Sequence, residues 1–138
     1  MNRDEFKKLT SIRRKDARIL LIHGNYSGAY YLCGYVIECG LKACIAKRTK
    51  RYDFPPDRES LKNIYTHNLN NLVKGAKLEA DLVKKMKSDP DFEVNWSIVN
   101  KWTENSRYDN VDEKKATDMY SAVTSTIHGV LKWIKQHW

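Results

Sequence analysis

Apolar residues recur along most of the chain with a period near 3.6, and no segment alternates strictly in and out. Phe6, Leu9, Ile12, Leu20 and Leu21 form one stripe with charges on the other face, predicting a first helix from about Arg3 to His23. Gly24-Asn25 stops it, because both residue types tolerate the left-handed C-terminal cap. Ser27 is a suitable cap for the next helix, about Ser27 to Lys47. There apolar residues occupy nearly every face, from Ala29 and Tyr31 through Val36 and Ile37 to Leu41 and Ile45. A helix that is apolar all round belongs at the centre of a fold. Gly28, Gly34 and Gly40 within it allow close approach by neighbouring elements.

Thr49 to Arg58 reads as a loop, since Pro55-Pro56 cannot continue a helix. A short helix follows, with Leu61, Ile64 and Tyr65 as its apolar residues. Thr66 or Asn68 then starts a piece carrying Leu69, Leu72 and Val73, which Gly75 ends. Glu79 to Lys87 is amphipathic and basic, and Asp89-Pro90 interrupts it. Asp91 to about Asn105 carries Trp96, Val99 and Trp102 at spacing three. A last helix opens at Asp112 and runs nearly to Trp138, with Ala116, Met119, Tyr120, Val123, Ile127, Val130, Leu131 and Ile134 as its stripe. The expected fold is all-α: an antiparallel up-and-down bundle of four to six helices forming a single domain over residues 1–138.

Composition agrees with this. At 138 residues the chain suits one domain, and a domain of that size buries roughly two thirds of its unfolded surface without staples. Only 6 Gly and 3 Pro argue against a turn-rich all-β fold. No uninterrupted apolar run reaches the ~18–20 residues of a membrane span. Met1-Asn2-Arg3-Asp4 lacks the hydrophobic stretch of a secretory signal, so no membrane role and a cytoplasmic location are expected. Cys33, Cys39 and Cys44 match no zinc or redox spacing and read as small buried residues.

The net charge of +8 favours phosphate-bearing partners. The basic residues cluster at Arg13-Arg14-Lys15-Arg18, at Lys47-Arg48-Lys50-Arg51 and at Lys84-Lys85-Lys87. Each cluster reads either as a phosphate contact or as a solvated helix face.

Candidate chemistry is sparse. Arg18 and His23 lie about 140° apart on one helix and read as coincidence. Glu38 is the one acid in the apolar helix and needs a partner if buried; Lys42 stands at i+4. His67, at a helix entry, reads as a general base or as a capping or hydrogen-bonded histidine. His128 and His137 read as ordinary last-helix residues. No Asp/Glu/His group has metal-ligand spacing, so neither a metal nor a cofactor is implied. The densest polar run is Asn105-Ser106-Arg107-Tyr108-Asp109-Asn110. Either Arg107 grips a phosphate there near a helix start, or it pairs locally while Tyr108 packs a corner.

These residues form a familiar order. The stretch from Tyr26 to Ala43, with Glu38, Leu41 and Lys42, resembles the signature second helix of HEPN domains. Thr66-His67-Asn68-Leu69 followed by Leu72 resembles their "HDL-x-x-L" element, and Trp96, Trp102 and Arg107-Tyr108 resemble their "W…W…RY" segment. The resemblance implies a helical bundle, commonly a homodimer, often encoded beside a minimal nucleotidyltransferase in toxin–antitoxin or defence pairs. Active members resemble metal-independent endoribonucleases whose motif is Arg, four to six residues, then His. Here no His follows Arg107 within reach. The expectation is therefore a nucleotide-, RNA- or partner-binding module using Arg107, Tyr108 and His67, with Glu38 and Lys42 as structural polar positions. The alternative is an endoribonuclease toxin with a degenerate site, in which Arg107 steadies the phosphate and His67 moves protons. That alternative requires the two side chains to approach one another.

Overall fold

The computed structural model describes residues 1–52 and 62–138; residues 53–58 of the loop expected over Thr49 to Arg58, and the expected helix residue Leu61, lie outside the described residues. The described residues are helical throughout, with no strand among them. In chain order they form α1 (Arg3–Ile22), α2 (Tyr26–Tyr52), α3 (Leu69–Gly75), α4 (Glu79–Ser88), α5 (Pro90–Val99), a 3-10 helix (Glu104–Tyr108), α6 (Glu113–Thr124) and α7 (Val130–Lys135). Residues 62–64 are helical as well.

Helix α2 is the axis. It packs against α1, α3, α6, α7 and the 3-10 helix. Ala29, Cys33, Val36, Ile37, Leu41, Ala43 and Ile45 are all buried, which explains why no single face of the helix is apolar. Ser27 lies inside this helix, and its hydroxyl accepts from the Val111 N–H at 2.9 Å instead of capping. The helix also continues to Tyr52, so the expected loop does not begin at Thr49. Its Tyr26–Thr49 stretch is long and apolar enough to cross a membrane by length and composition, which corrects the expectation that no such stretch exists. Most of that stretch is buried inside the bundle.

Local signals set the helix ends. Asn2 and Glu5 form a reciprocal capping box at the start of α1. Gly24, at φ +78°, turns the chain into α2, a conformation that favours glycine. Asn68 caps α3 by accepting from Asn71 N–H at 3.0 Å. Asp89 caps α5, with Pro90 at its first position.

Three expectations fail for tertiary reasons. Ile12 is exposed, because α1 lies on the outside and buries only Thr10 and Ala17 fully. The segment after Asp91 ends as a helix at Val99, not Asn105, and a turn leads into the 3-10 helix. The last helix is two helices: Ser125 leaves helical geometry at ψ 132°, and Gly129 restarts the chain as α7. A side chain at Gly129 would meet the Ser125 carbonyl at 2.3 Å, so the break depends on that glycine. Ile127 lies in the break and is exposed, and His128 lies there too.

Candidate functional site

Three elements converge at one corner: α2, the turn before α3, and the 3-10 helix. Trp102 underlies them. It is 2% exposed, and its indole lies flat against Gly34 of α2, where a β-carbon would fall 1.9 Å from the ring. Tyr35 meets Trp102 edge-on at 5.6 Å between ring centres and meets the His67 ring at 6.3 Å. The Tyr31 and Tyr35 hydroxyls lie 3.1 Å apart. Burial, then this hydroxyl contact, push the Tyr35 phenol above its ordinary range, so it stays a neutral donor.

Glu38 is 3% exposed, and both its carboxylate oxygens are used. One lies 2.7 Å from His67 Nδ1 and the other 3.6 Å from Lys42 Nζ. The partner required by a buried acid is thus supplied twice, with Lys42 at i+4 as its spacing suggested. His67 Nε2 faces Glu104 at 3.6 Å, and Glu104 in turn faces Arg107 Nη1 at 3.7 Å. The result is a row of polar groups in contact: Lys42, Glu38, the His67 imidazole, Glu104 and Arg107. Sequence reasoning missed Glu104, which joins the two candidate residues. Its position three residues before Arg107 was the available signal.

Arg107 is half-exposed and its guanidinium lies over the Tyr108 ring at 4.8 Å. Tyr108, with smaller contributions from Glu104 and Tyr31, raises the guanidinium above its already high range. Tyr108 does not pack a corner; it is 76% exposed. The 3-10 helix that carries both residues is tied back on itself. Ser106 N–H donates to the Thr103 carbonyl at 2.9 Å, and Thr103 N–H donates to Ser106 Oγ at 3.3 Å.

Beside this row lies a cavity of about 410 Å³, lined chiefly by His67, Asn68, Asn70, Asn100, Trp102 and Glu104. Two buried polar atoms of its lining residues, Trp102 Nε1 and Asn100 Oδ1, have no hydrogen-bond partner. Both atoms are fully buried, and Trp102 Nε1 lies on the side of the ring that meets Gly34, so they belong to the packing behind the cavity wall.

The remaining candidates lie elsewhere. Arg18 is exposed on α1, and His23 is the residue that ends that helix. The three cysteines are buried and free. Burial pushes the Cys33 and Cys44 thiols up to about 12 and Cys39 to about 11, which leaves them unreactive. Asp89, Asp91 and His128 come within 4.8 Å of one another, a group that linear spacing does not disclose. His128 Nδ1 lies 2.8 Å from Asp89 and Nε2 3.5 Å from Asp91, while Lys85 lies 3.3 Å from Asp89. Both ring nitrogens already face carboxylates and an ammonium already serves Asp89, so the group's polar atoms already have protein partners. His128 is therefore a cross-link between the 125–129 break and the start of α5, not an ordinary helix-face residue.

A buried, acid-bearing central helix, a histidine at the mouth of the next piece and an Arg-Tyr 3-10 corner define a helical bundle of the HEPN type. The HEPN domain model matches residues 10–137, nearly the whole chain, and the chain belongs to the HEPN domain family. No curated protein and no solved structure matches it.

Proposed function

We propose that this chain is a binding module whose His67–Glu104–Arg107 corner takes a nucleotide or an RNA end. In this reading it acts as a cytoplasmic homodimer beside a minimal nucleotidyltransferase partner in a toxin–antitoxin or defence pair. The dimer and the partner rest on the family resemblance. The ligand class rests on the cavity.

The observation that carries it is the amide-lined cavity beside the His67–Glu104–Arg107 row. Asn68, Asn70, Asn100 and Asn105 present donors and acceptors together, which suits the edges of a base and a ribose. Arg107 beside it offers a fork for phosphate oxygens. Tyr65 and Tyr108, both strongly exposed, offer faces on which a base can stack.

A second reading is supported by one contact pattern. His67 and Arg107 meet the same carboxylate, so they are near enough to serve one phosphate in an endoribonuclease. Glu104 weighs against it, because a phosphate entering there must displace a carboxylate from both His67 and Arg107.

The test is calorimetric titration with ATP and GTP, alongside cleavage of a varied RNA pool in EDTA, for wild type, Arg107→Ala and His67→Ala. The expected result is nucleotide binding that Arg107→Ala weakens about tenfold, a change of about 1.4 kcal/mol, and no cleavage. Cleavage abolished by either substitution in a folded protein would establish the ribonuclease reading instead.

A further inference from the structure

A second concavity of about 570 Å³ opens on the side formed by α1, α6 and α7. Thr10, Ser11, Arg14, Lys15 and Arg18 line it from α1, Tyr120 from α6, and Leu131 and Lys135 from α7. Spacings of three, four and seven residues put Ser11, Arg14, Lys15 and Arg18 on one face of α1. Lys135 arrives from the other end of the chain. No carboxylate lines the groove, and among the described residues none of these four cations makes an ion pair.

That arrangement separates this cluster from the other basic runs. In the Lys84-Lys85-Lys87 run, Lys85 pairs with Asp89, and Arg48 of the Lys47–Arg51 run has an interaction partner. Arg13, next to Arg14, turns away to Asp16 at 2.8 Å. Burial, and then the Arg14 guanidinium, push the Lys135 ammonium below the usual lysine range. A solvated helix face does not gather cations from two ends of a chain against their own repulsion. A concavity that does so is complementary to an anion. Two guanidiniums give bidentate donors, and Ser11 and Tyr120 add neutral hydroxyls; this donor set suits phosphate oxygens. The volume is on the scale of a nucleotide-sized ligand.

We propose that the α1–α7 groove is a second binding site, separate from the His67 corner, for a row of two or more linked phosphates, with Arg14, Arg18 and Lys135 as its contacts. The row is either the backbone of a single-stranded nucleic acid or a free polyphosphate, and the two share the same recognition chemistry. The proposal does not depend on what binds at the His67 corner.

The experiment uses the whole chain and three probes: a fluorescently labelled 12-nucleotide RNA, inorganic triphosphate and poly-glutamate. Arg14→Gln, Arg18→Gln, Lys135→Gln and the triple variant are compared with wild type and with Arg107→Ala. Thermal unfolding and sedimentation are recorded for each. Single substitutions should weaken RNA or triphosphate about tenfold or less, and the triple variant by more than a hundredfold, without lowering the melting temperature. If RNA is the ligand, each lost contact should flatten the slope of log K against log salt by about 0.7. Loss confined to triphosphate would assign the free polyphosphate. Three results overturn the proposal: unchanged binding in the triple variant, poly-glutamate bound as tightly and lost in parallel, or a shift in dimerisation in place of a shift in binding. Binding lost only in Arg107→Ala would leave the His67 corner standing and this groove refuted.

Discussion

The two concave regions of this molecule handle charge in opposite ways. At the His67 corner the two cations lie near carboxylates, Lys42 near Glu38 and Arg107 near Glu104, and the His67 ring lies between the two acids. In the α1–α7 groove, among the described residues, no carboxylate lines the wall and none pairs with Arg14, Lys15, Arg18 or Lys135. The first region is charge-balanced and rich in amides, so it can read shape and hydrogen-bond pattern. The second is an unbalanced field, so it attracts anions with little regard to their detail. The net charge of +8 alone does not reveal this difference, since it says nothing of how the charges are arranged.

The sharpest way to break the comparison is to dismantle one region and leave the other. Gly34→Ala places a methyl group 1.9 Å from the Trp102 ring, and the ring must leave its seat. Displacing a buried tryptophan costs about 3–5 kcal/mol, and the His67 corner goes with it. Gly28→Ala is the control, because its new carbon would meet only the movable tip of Leu20 at 3.2 Å. Urea unfolding should show a large loss for the first and a small one for the second. A Gly34→Ala protein as stable as wild type would mean that Trp102 does not support the corner.

Next in size is Glu38→Ala. It removes a carboxylate that is 3% exposed and leaves His67 and Lys42 without their buried partner. Because the Lys42 and His67 side chains both remain partly exposed, the expected cost is about 1–3 kcal/mol, well below that of an orphaned fully buried charge. A double-mutant cycle with His67→Ala should return a coupling near 1 kcal/mol or more. Independent effects would show that the 2.7 Å contact contributes no stability.

The bundle itself was legible in the chain, and the reason is physical. Periodicity and caps act locally, so α1, α3, α4 and the start of α6 fall where the pattern puts them. What was not legible is what distant residues do to one another. Gly34 read as a place of close approach, yet its partner, Trp102, is supplied by a segment far along the chain. Glu38 and His67 were each singled out, but nothing in sequence links positions 29 residues apart. The break at 125–129 was hidden because the apolar period runs through it, and only Gly129 marked it. Lys135 belongs to no basic run, so its meeting with Arg14 and Arg18 is wholly tertiary.

His128 allows a finer test, since it repeats the histidine-between-carboxylates arrangement away from both concavities. The His128 hydrogen bond, helped by the Phe92 N–H and Lys85, lowers Asp89 from 3.8 to about 2. A carboxylate depressed on folding adds stability above its unfolded pKa and loses it as pH falls toward the folded value. The melting temperature should therefore drop between pH 4 and pH 2, and Asp89→Asn should flatten that drop. A variant with the wild-type acid profile would place the acid sensitivity elsewhere.

The smallest expected effect on stability is at Asn68, and it bears most directly on the contrast between the regions. Asn68→Asp keeps a side-chain oxygen for the Asn71 N–H, and aspartate caps as well as asparagine. Stability should change by only about 0.5 kcal/mol or less. The cavity, however, gains a carboxylate on its wall, beside Glu104. If that cavity takes a nucleotide, the added negative charge should weaken binding there about three- to tenfold at low salt. Phosphate binding at the α1–α7 groove should be untouched, because Asn68 does not line it. Equal losses at both places would mean that the two regions act as one electrostatic field. A loss confined to nucleotide binding would show that the balanced corner reads its ligand at short range, as its paired charges and amide walls imply.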